Sequence, residues 1–271
     1  MWDISGILWM LAIGAVLFVP LERLLPAPKA GRRGRAALVA DLLHATVGGQ
    51  MTKVCAALLL AIMLSGSAHT GVAGHWPLAV QVIVLLLICD FLIYAVHRLE
   101  HAVPLLWRFH RIHHSSTHLD WLASARVHPM EQIAITTLTG LPMYLVGFST
   151  TAIAIYLAGY TFHSALLHAN TRLSFGPLEA VFTPPRIHHW HHADQVEAYD
   201  SNFGSQLVIW DRLFGTAYRP DADRPARFGV DAPPAEDFAA HLLAPFRAQP
   251  EPFTPTFDGT MAVPASVSGN R

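Results

Sequence analysis

Hydrophobic residues run along this chain in long blocks separated by short polar stretches, and the blocks have the length of membrane helices. A spanning helix needs about 20 largely apolar residues. The first block covers 4–25, a longer one lies within 36–64, and a third covers 77–96. Asp41, His44 and Lys53 interrupt the second. The apolar stretch 130–167 is long enough for two helices, with "VGFSTT" at 146–151 as a tight turn between them. The pattern predicts an all-α integral membrane protein with about four transmembrane helices. The N-terminal block lacks a basic leader and a clear small-residue cleavage site, so it reads as a retained helix rather than a signal peptide.

Loop charge orients these blocks. The first loop, "PAPKAGRRGR", carries Lys29, Arg32, Arg33 and Arg35, which favours the cytoplasmic side. The second, "SGSAHTGVAGHW", has no charged residue and suits the opposite side. The third block then returns to the cytoplasm near His97, and the hairpin goes out and back to end near His168. Past Tyr218 the chain turns polar and proline-rich, with the last stretch expected to be disordered. The expected organisation is 1–76 for N-terminal membrane helices and a basic loop, 77–220 for a catalytic region, and 221–271 for a partly disordered tail. The C-terminus should be cytoplasmic.

Composition agrees: 52% of residues are apolar and only 14% charged, against about a quarter charged in soluble domains. A net charge of −1 offers no basic field for nucleic acid. The two cysteines, Cys55 and Cys89, lie in apolar runs and form no motif. Histidine is the anomaly, with 17 in the chain.

The histidines are spaced for metal. "HRLEH" sets His97 and His101 one helical turn apart on one face. "HRIHH" holds His110, His113 and His114, and "HHWHH" repeats that spacing with His188, His191 and His192. Neutral imidazole suits iron, copper, nickel and zinc. Eight such groups exceed what one four-coordinate zinc uses, so a two-metal centre is expected. His168 is the first choice for a ninth ligand. His163 is a weaker one, since a five-residue step does not stack on a helix.

Other polar residues have weaker claims. His189 breaks the repeat and is expected beside the ligands or exposed. His118 and His128 stand between supporting a ligand and a structural role, while His44, His69, His75 and His241 suit packing or hydrogen bonding. Asp90, two turns before His97 in an apolar helix, is expected to orient a ligand imidazole. Glu100, Glu131, Asp194, Asp200 and Asp211 are weaker candidates for the same work. Arg126 and Arg186 suit a lipid head group or an ordinary surface. Tyr94, Trp107, Trp190 and Trp210 suit interfacial anchoring or packing.

The three boxes, with the flanks "DFLIYAVHR", "ARVHPME", "LLHANTRLSFGPLE" and "NFGSQLVIWDRLFGTAYRP", make the chain resemble the fatty acid hydroxylase/sterol desaturase superfamily of membrane histidine-box di-iron oxygenases. The resemblance spans roughly 85–220. It implies a membrane anchor beneath a cytosolic helical cap with two irons on the eight boxed histidines and His168, zinc being a possible substitute. It further implies O2, a separate electron donor of ferredoxin or cytochrome type, and a sterol-like or fatty-acyl lipid that is hydroxylated or desaturated. A carotenoid hydroxylase uses similar boxes, but the "PLE" and "WDRLFGT" flanks favour the sterol-desaturase-like branch. A non-enzymatic zinc-binding membrane protein is the alternative from another class. A transporter would carry ligands mid-span, whereas these boxes sit at helix ends and beyond.

Overall fold

In the computed structural model, residues 4–27, 33–63 and 71–247 are described. Their regular structure is helical, joined by turns and loops with only isolated bridges between extended residues. The expectations for Lys29, Arg32, His69 and the last residues from 248 fall outside the described part.

Three helical stretches are long and apolar enough to cross a membrane: Ser5–Leu24, Arg35–Ile62 and Leu78–Ala102. The first is α1 (Ile4–Leu24) and the third is α4 (Leu78–Ala102). The second joins α2 (Arg35–Leu43) to α3 (Gly49–Met63) through a widened turn at His44–Gly48. The hairpin of α6 (Pro129–Leu145) and α7 (Thr150–His168) forms where expected. Neither of its arms matches those three in length and apolarity together, so three spans meet that measure where about four were expected. Gly147 turns the hairpin at φ 74°, and a Cβ there would lie 2.5 Å from the backbone of Gly71. Only glycine fits both demands. Ser149 then caps α7, and its N–H donates to the buried Gln81 at 2.9 Å.

The shorter helices pack against these rods. Chain direction breaks at Val103, and Pro104 opens α5 (Pro104–His114), where a missing N–H costs nothing. Following α7 come α8 (Pro185–His191), α9 (Ile209–Phe214) and α10 (Phe238–Leu243). Helix α1 leans on the turn Trp121–Ala125 because Gly14 has no side chain: a Cβ would sit 2.5 Å from the Trp121 ring. Phe18 stacks on that ring, and Glu22 accepts hydrogen bonds at 2.9 Å from the N–H groups of Trp121 and Asn170.

Of the polar residues that interrupt the second rod, Asp41 and His44 are paired inside the protein, whereas Lys53 is exposed. Asp41 is completely buried and holds Arg33 and Arg126. Arg126, also completely buried, reaches Asp41 at 2.6 Å and Glu236 at 2.9 Å. It therefore cannot serve a lipid head group, one of its two expected uses. His44 donates through Nδ1 to the Val127 carbonyl, and its Nε2 lies 3.1 Å from His241 Nδ1. Part of the expected tail is thus folded: Glu236 and His241 pack back on α2 and the turn after it.

Removing one member of a buried ion pair leaves its partner unpaired, at a cost of about 3–5 kcal/mol. Arg126→Met should lose about that much stability, read as a lowered thermal midpoint in detergent; an unchanged midpoint would show that the Asp41–Arg126–Glu236 triad does not brace the fold.

Candidate metal centre

Nine histidines converge where α4, α5, α7 and α8 meet, and each is 8% exposed or less. They form two groups. His97, His101, His110, His114 and His191 make one; His113, His168, His188 and His192 make the other. Within each group the ring nitrogens lie within 4.8 Å of one another. The i, i+3, i+4 boxes are divided between the groups: His110 and His114 face one way and His113 the other, as His191 opposes His188 and His192. The two groups touch through the stacked rings of His114 and His192, 4.5 Å apart.

Nε2 atoms face inward. His114 Nε2 lies 3.2 Å from that of His101 and 3.1 Å from that of His110. His168 Nε2 lies 3.1 Å from those of His113 and His188, and His192 repeats the distance to His188. Outer nitrogens donate to fixed acceptors: His97 to Phe203 O (2.9 Å), His113 to Arg126 O (3.1 Å), His168 to Ser164 O (2.8 Å) and His191 to Ser201 O (2.8 Å). His110 Nδ1 donates to Glu131 at 2.9 Å, and His101 Nδ1 lies 3.3 Å from Asp200. A proton committed to Nδ1 leaves the Nε2 lone pair bare and aimed inward.

This donor set fits metal. The Nε2 atoms of His97 and His191 are buried without any partner, and lone pairs crowded this closely repel unless a cation sits among them. Metal–nitrogen bonds of about 2.0–2.1 Å put neighbouring ligand atoms roughly 2.9–3.4 Å apart, which brackets the 3.1–3.2 Å contacts. Burial, and then the neighbouring rings, push His110, His113, His114, His188, His191 and His192 well below the usual histidine range. The rings are therefore held neutral, the form that ligates.

The structure separates the supporting residues differently from the expectation. Asp90 lies on the anticipated face, yet both its oxygens are occupied by Gln206 N, Leu207 N and Trp210 Nε1 at 2.7–3.0 Å. It orients no imidazole; it anchors the loop whose Phe203 carbonyl does. His128 caps α6 through Met130 N and lies 3.2 Å from Leu242 O, away from the centre. His163 donates to Thr183 O at 2.9 Å and belongs to neither group. His189 is 1% exposed and hydrogen-bonds the backbone at His168 and Ala169. It sits behind a clustered histidine, not at the surface. The carboxylate that accepts directly is Glu131, while Asp200 Oδ1 and Glu100 Oε2 lie 3.3 and 3.4 Å from His101 and His110 without a hydrogen bond. Asp211 holds Phe203 N and Gly204 N at 2.8 Å, and Asp194 binds Tyr199 and Arg227.

The backbone carbonyls that receive histidine protons carry no signal in side-chain type. Two of them, at Ser201 and Phe203, sit in a loop where Asp200 and Asn202 take positive φ of 53° and 57°. Asn and Asp tolerate that conformation best. Asn202 also fixes it, accepting from Tyr218 N at 2.8 Å.

An apolar cavity of about 770 Å³ runs from the α1–α7 face to this centre. Trp9, Ile13 and Leu17 of α1 and Leu157 and Phe162 of α7 line its outer part. His97, Glu100, His110, His113, Glu131, His168 and His188 line its inner end.

A hydrophobic cavity ending at two histidine clusters able to hold metal is the kind of site an enzyme uses for a lipid-like molecule, and comparison with known proteins places the chain in a family. Residues 82–216 match the family model described as fatty acid hydroxylase, and the chain belongs to that family. It is 32% identical over 235 residues to ornithine lipid hydroxylase OlsE of Rhizobium tropici, covering 83% of this chain and 71% of that protein. It is 31% identical over 127 residues to alkylglycerol monooxygenase of Homo sapiens, covering 47% of this chain and 28% of the relative. Fatty acid hydroxylase vlmA of Lecanicillium sp is 32% identical over 159 residues, 51% of this chain and 42% of that one. No solved structure matches the chain. The family resemblance of the histidine boxes is therefore borne out.

Two outcomes test the centre. Glu131→Ala, which removes the acceptor of His110, should weaken metal retention about 10–100-fold, measured by elemental analysis after graded chelator treatment. Unfolded histidines take up protons near pH 6.5, while the folded ones resist. Stability and metal content should thus be full above about pH 6.5 and fall as pH drops below it; thermal midpoints and bound metal unchanged down to pH 5 would contradict that sign.

Proposed function

We propose that the protein is a multi-pass membrane di-iron enzyme that hydroxylates a lipid with O2 and electrons from a separate ferredoxin- or cytochrome-type donor. Its histidine centre and C-terminus face the cytoplasm, as the basic first loop suggests. The single observation that carries this reading is the cavity joining a lipid-accessible helix face to nine inward-facing imidazoles. The names of the relatives, hydroxylases and monooxygenases of lipids, favour hydroxylation over desaturation. They also weigh against a non-enzymatic zinc-binding membrane protein.

When bound, two irons supply the oxidising power that an unactivated C–H bond demands. The chain supplies the rest. Histidines already neutral and oriented by their outer nitrogens need no rearrangement to ligate. The apolar walls contributed by α1 and α7 take the lipid chain and exclude water from the inner end. Trp121, stacked on Phe18, closes one side of the passage, so a lipid carbon is held against the histidines at the closed end.

Lipids of an expression host should show a species gaining one oxygen only with the native protein, and not with His188→Ala. Mass spectrometry of the lipids, with metal quantified on the same samples, checks this. A loss of two hydrogens instead would make the enzyme a desaturase, and oxidation that persists in a metal-depleted His188→Ala variant would remove the four-histidine group from the reaction.

A further inference from the structure

The inner end of the cavity holds two carboxylates that the histidine centre leaves short of partners. Glu100 and Glu131 line it at 5% and 7% exposed. Together with His110 they bring one ligand atom each within 4.8 Å of the others. Glu131 Oε1 accepts from His110 Nδ1, but its Oε2 is buried without a partner. Glu100 Oε2 stands 3.4 Å from the same nitrogen and makes no hydrogen bond. One imidazole proton thus faces two carboxyl groups. His110 turns its other nitrogen to His114, so the carboxyl pair lies across its ring from His114.

A buried acid without a donor is costly, and a cation or a donor-rich group relieves the cost. Among the described residues, no lysine or arginine lines this cavity. A proton taken up by the pair relieves part of that cost, and a cation that enters the cavity can relieve the rest. An ammonium carries three N–H donors and a positive charge, and suits two acceptors at once. A hydroxyl offers one donor, and a carboxylate would be repelled. The apolar walls meanwhile suit the hydrocarbon of the same molecule.

We propose that Glu100 and Glu131 form a subsite for the ammonium group of an amine-bearing lipid, which holds a carbon close to that nitrogen against the histidine centre. This rests on the lipid-hydroxylase reading and narrows it to an amphiphile oxidised near its polar end rather than along its tail.

The test measures binding without turnover. Purified, metal-loaded protein is titrated with hexadecylamine, hexadecanol and palmitic acid, and occupancy is followed by native mass spectrometry. Hexadecylamine should bind at least about 10-fold tighter than either competitor, and Glu100→Gln should abolish that preference. Glu131→Gln, which keeps an acceptor for His110, provides the second variant should Glu100→Gln fail to fold. Equal binding of the three probes, preference for palmitic acid, or an amine preference untouched in the variants would overturn the proposal. So would loss of a third metal ion per chain from either variant, which would make the pair a metal site. Amine selectivity in a protein that oxidises no lipid would sink the hydroxylase reading and leave the subsite standing; oxidation confined to lipids without an amine would do the reverse.

Discussion

Everything at the centre of this protein depends on keeping nine imidazoles buried, neutral and turned inward. Each has two nitrogens, and in five of them the fold commits the outer one, while those of His188 and His192 are buried without a partner. Main-chain carbonyls at Arg126, Ser164, Ser201 and Phe203, with the carboxylate of Glu131, take protons from five rings. What remains is a buried cage of lone pairs that a cation stabilises, bordered by the apolar cavity. Such a cage must be preorganised, because a ring free to rotate would instead turn its lone pair toward any available donor.

That requirement reaches well beyond the histidines. His113 leans on the carbonyl of Arg126, whose guanidinium is clamped between Asp41 and Glu236. His97 leans on Phe203, whose loop is held by Asp211 and whose continuation is held by Asp90. The acidic residues within apolar helices, Asp41 and Asp90, which a lipid-facing position would not tolerate, are thus explained as struts for the segments that carry the histidines. The folded part beyond residue 221 belongs to the same scaffold, since it supplies Glu236 and packs His241 on His44.

The site and its access are likewise joined through the helices. Gly14 lets α1 come against Trp121, and the space between α1 and α7 becomes a passage to the centre. A hydrophobic wall that faces lipid outside and substrate inside needs no change in chemistry between the two. The polar demand begins only at Glu100, Glu131 and the histidines.

Much of this was legible in the order of residues. Block hydrophobicity specified the helices, and the spacing of three histidine boxes specified a metal-type cluster, because both signals are local and periodic. His168 was reached from its place at the end of a hairpin. The roles of Asp90 and Arg126 were misjudged for one reason: helical phase tells which face a charge occupies, but not which distant segment arrives to meet it. The division of each box between two groups, the carbonyl acceptors, and the pairing of Glu131 with His110 have no signature in a single segment. Sequence alone determined where the long helices run and which histidines are candidate donors; tertiary packing decided which of them share a point, since that depends on contacts between segments about a hundred residues apart, such as His97 with Phe203.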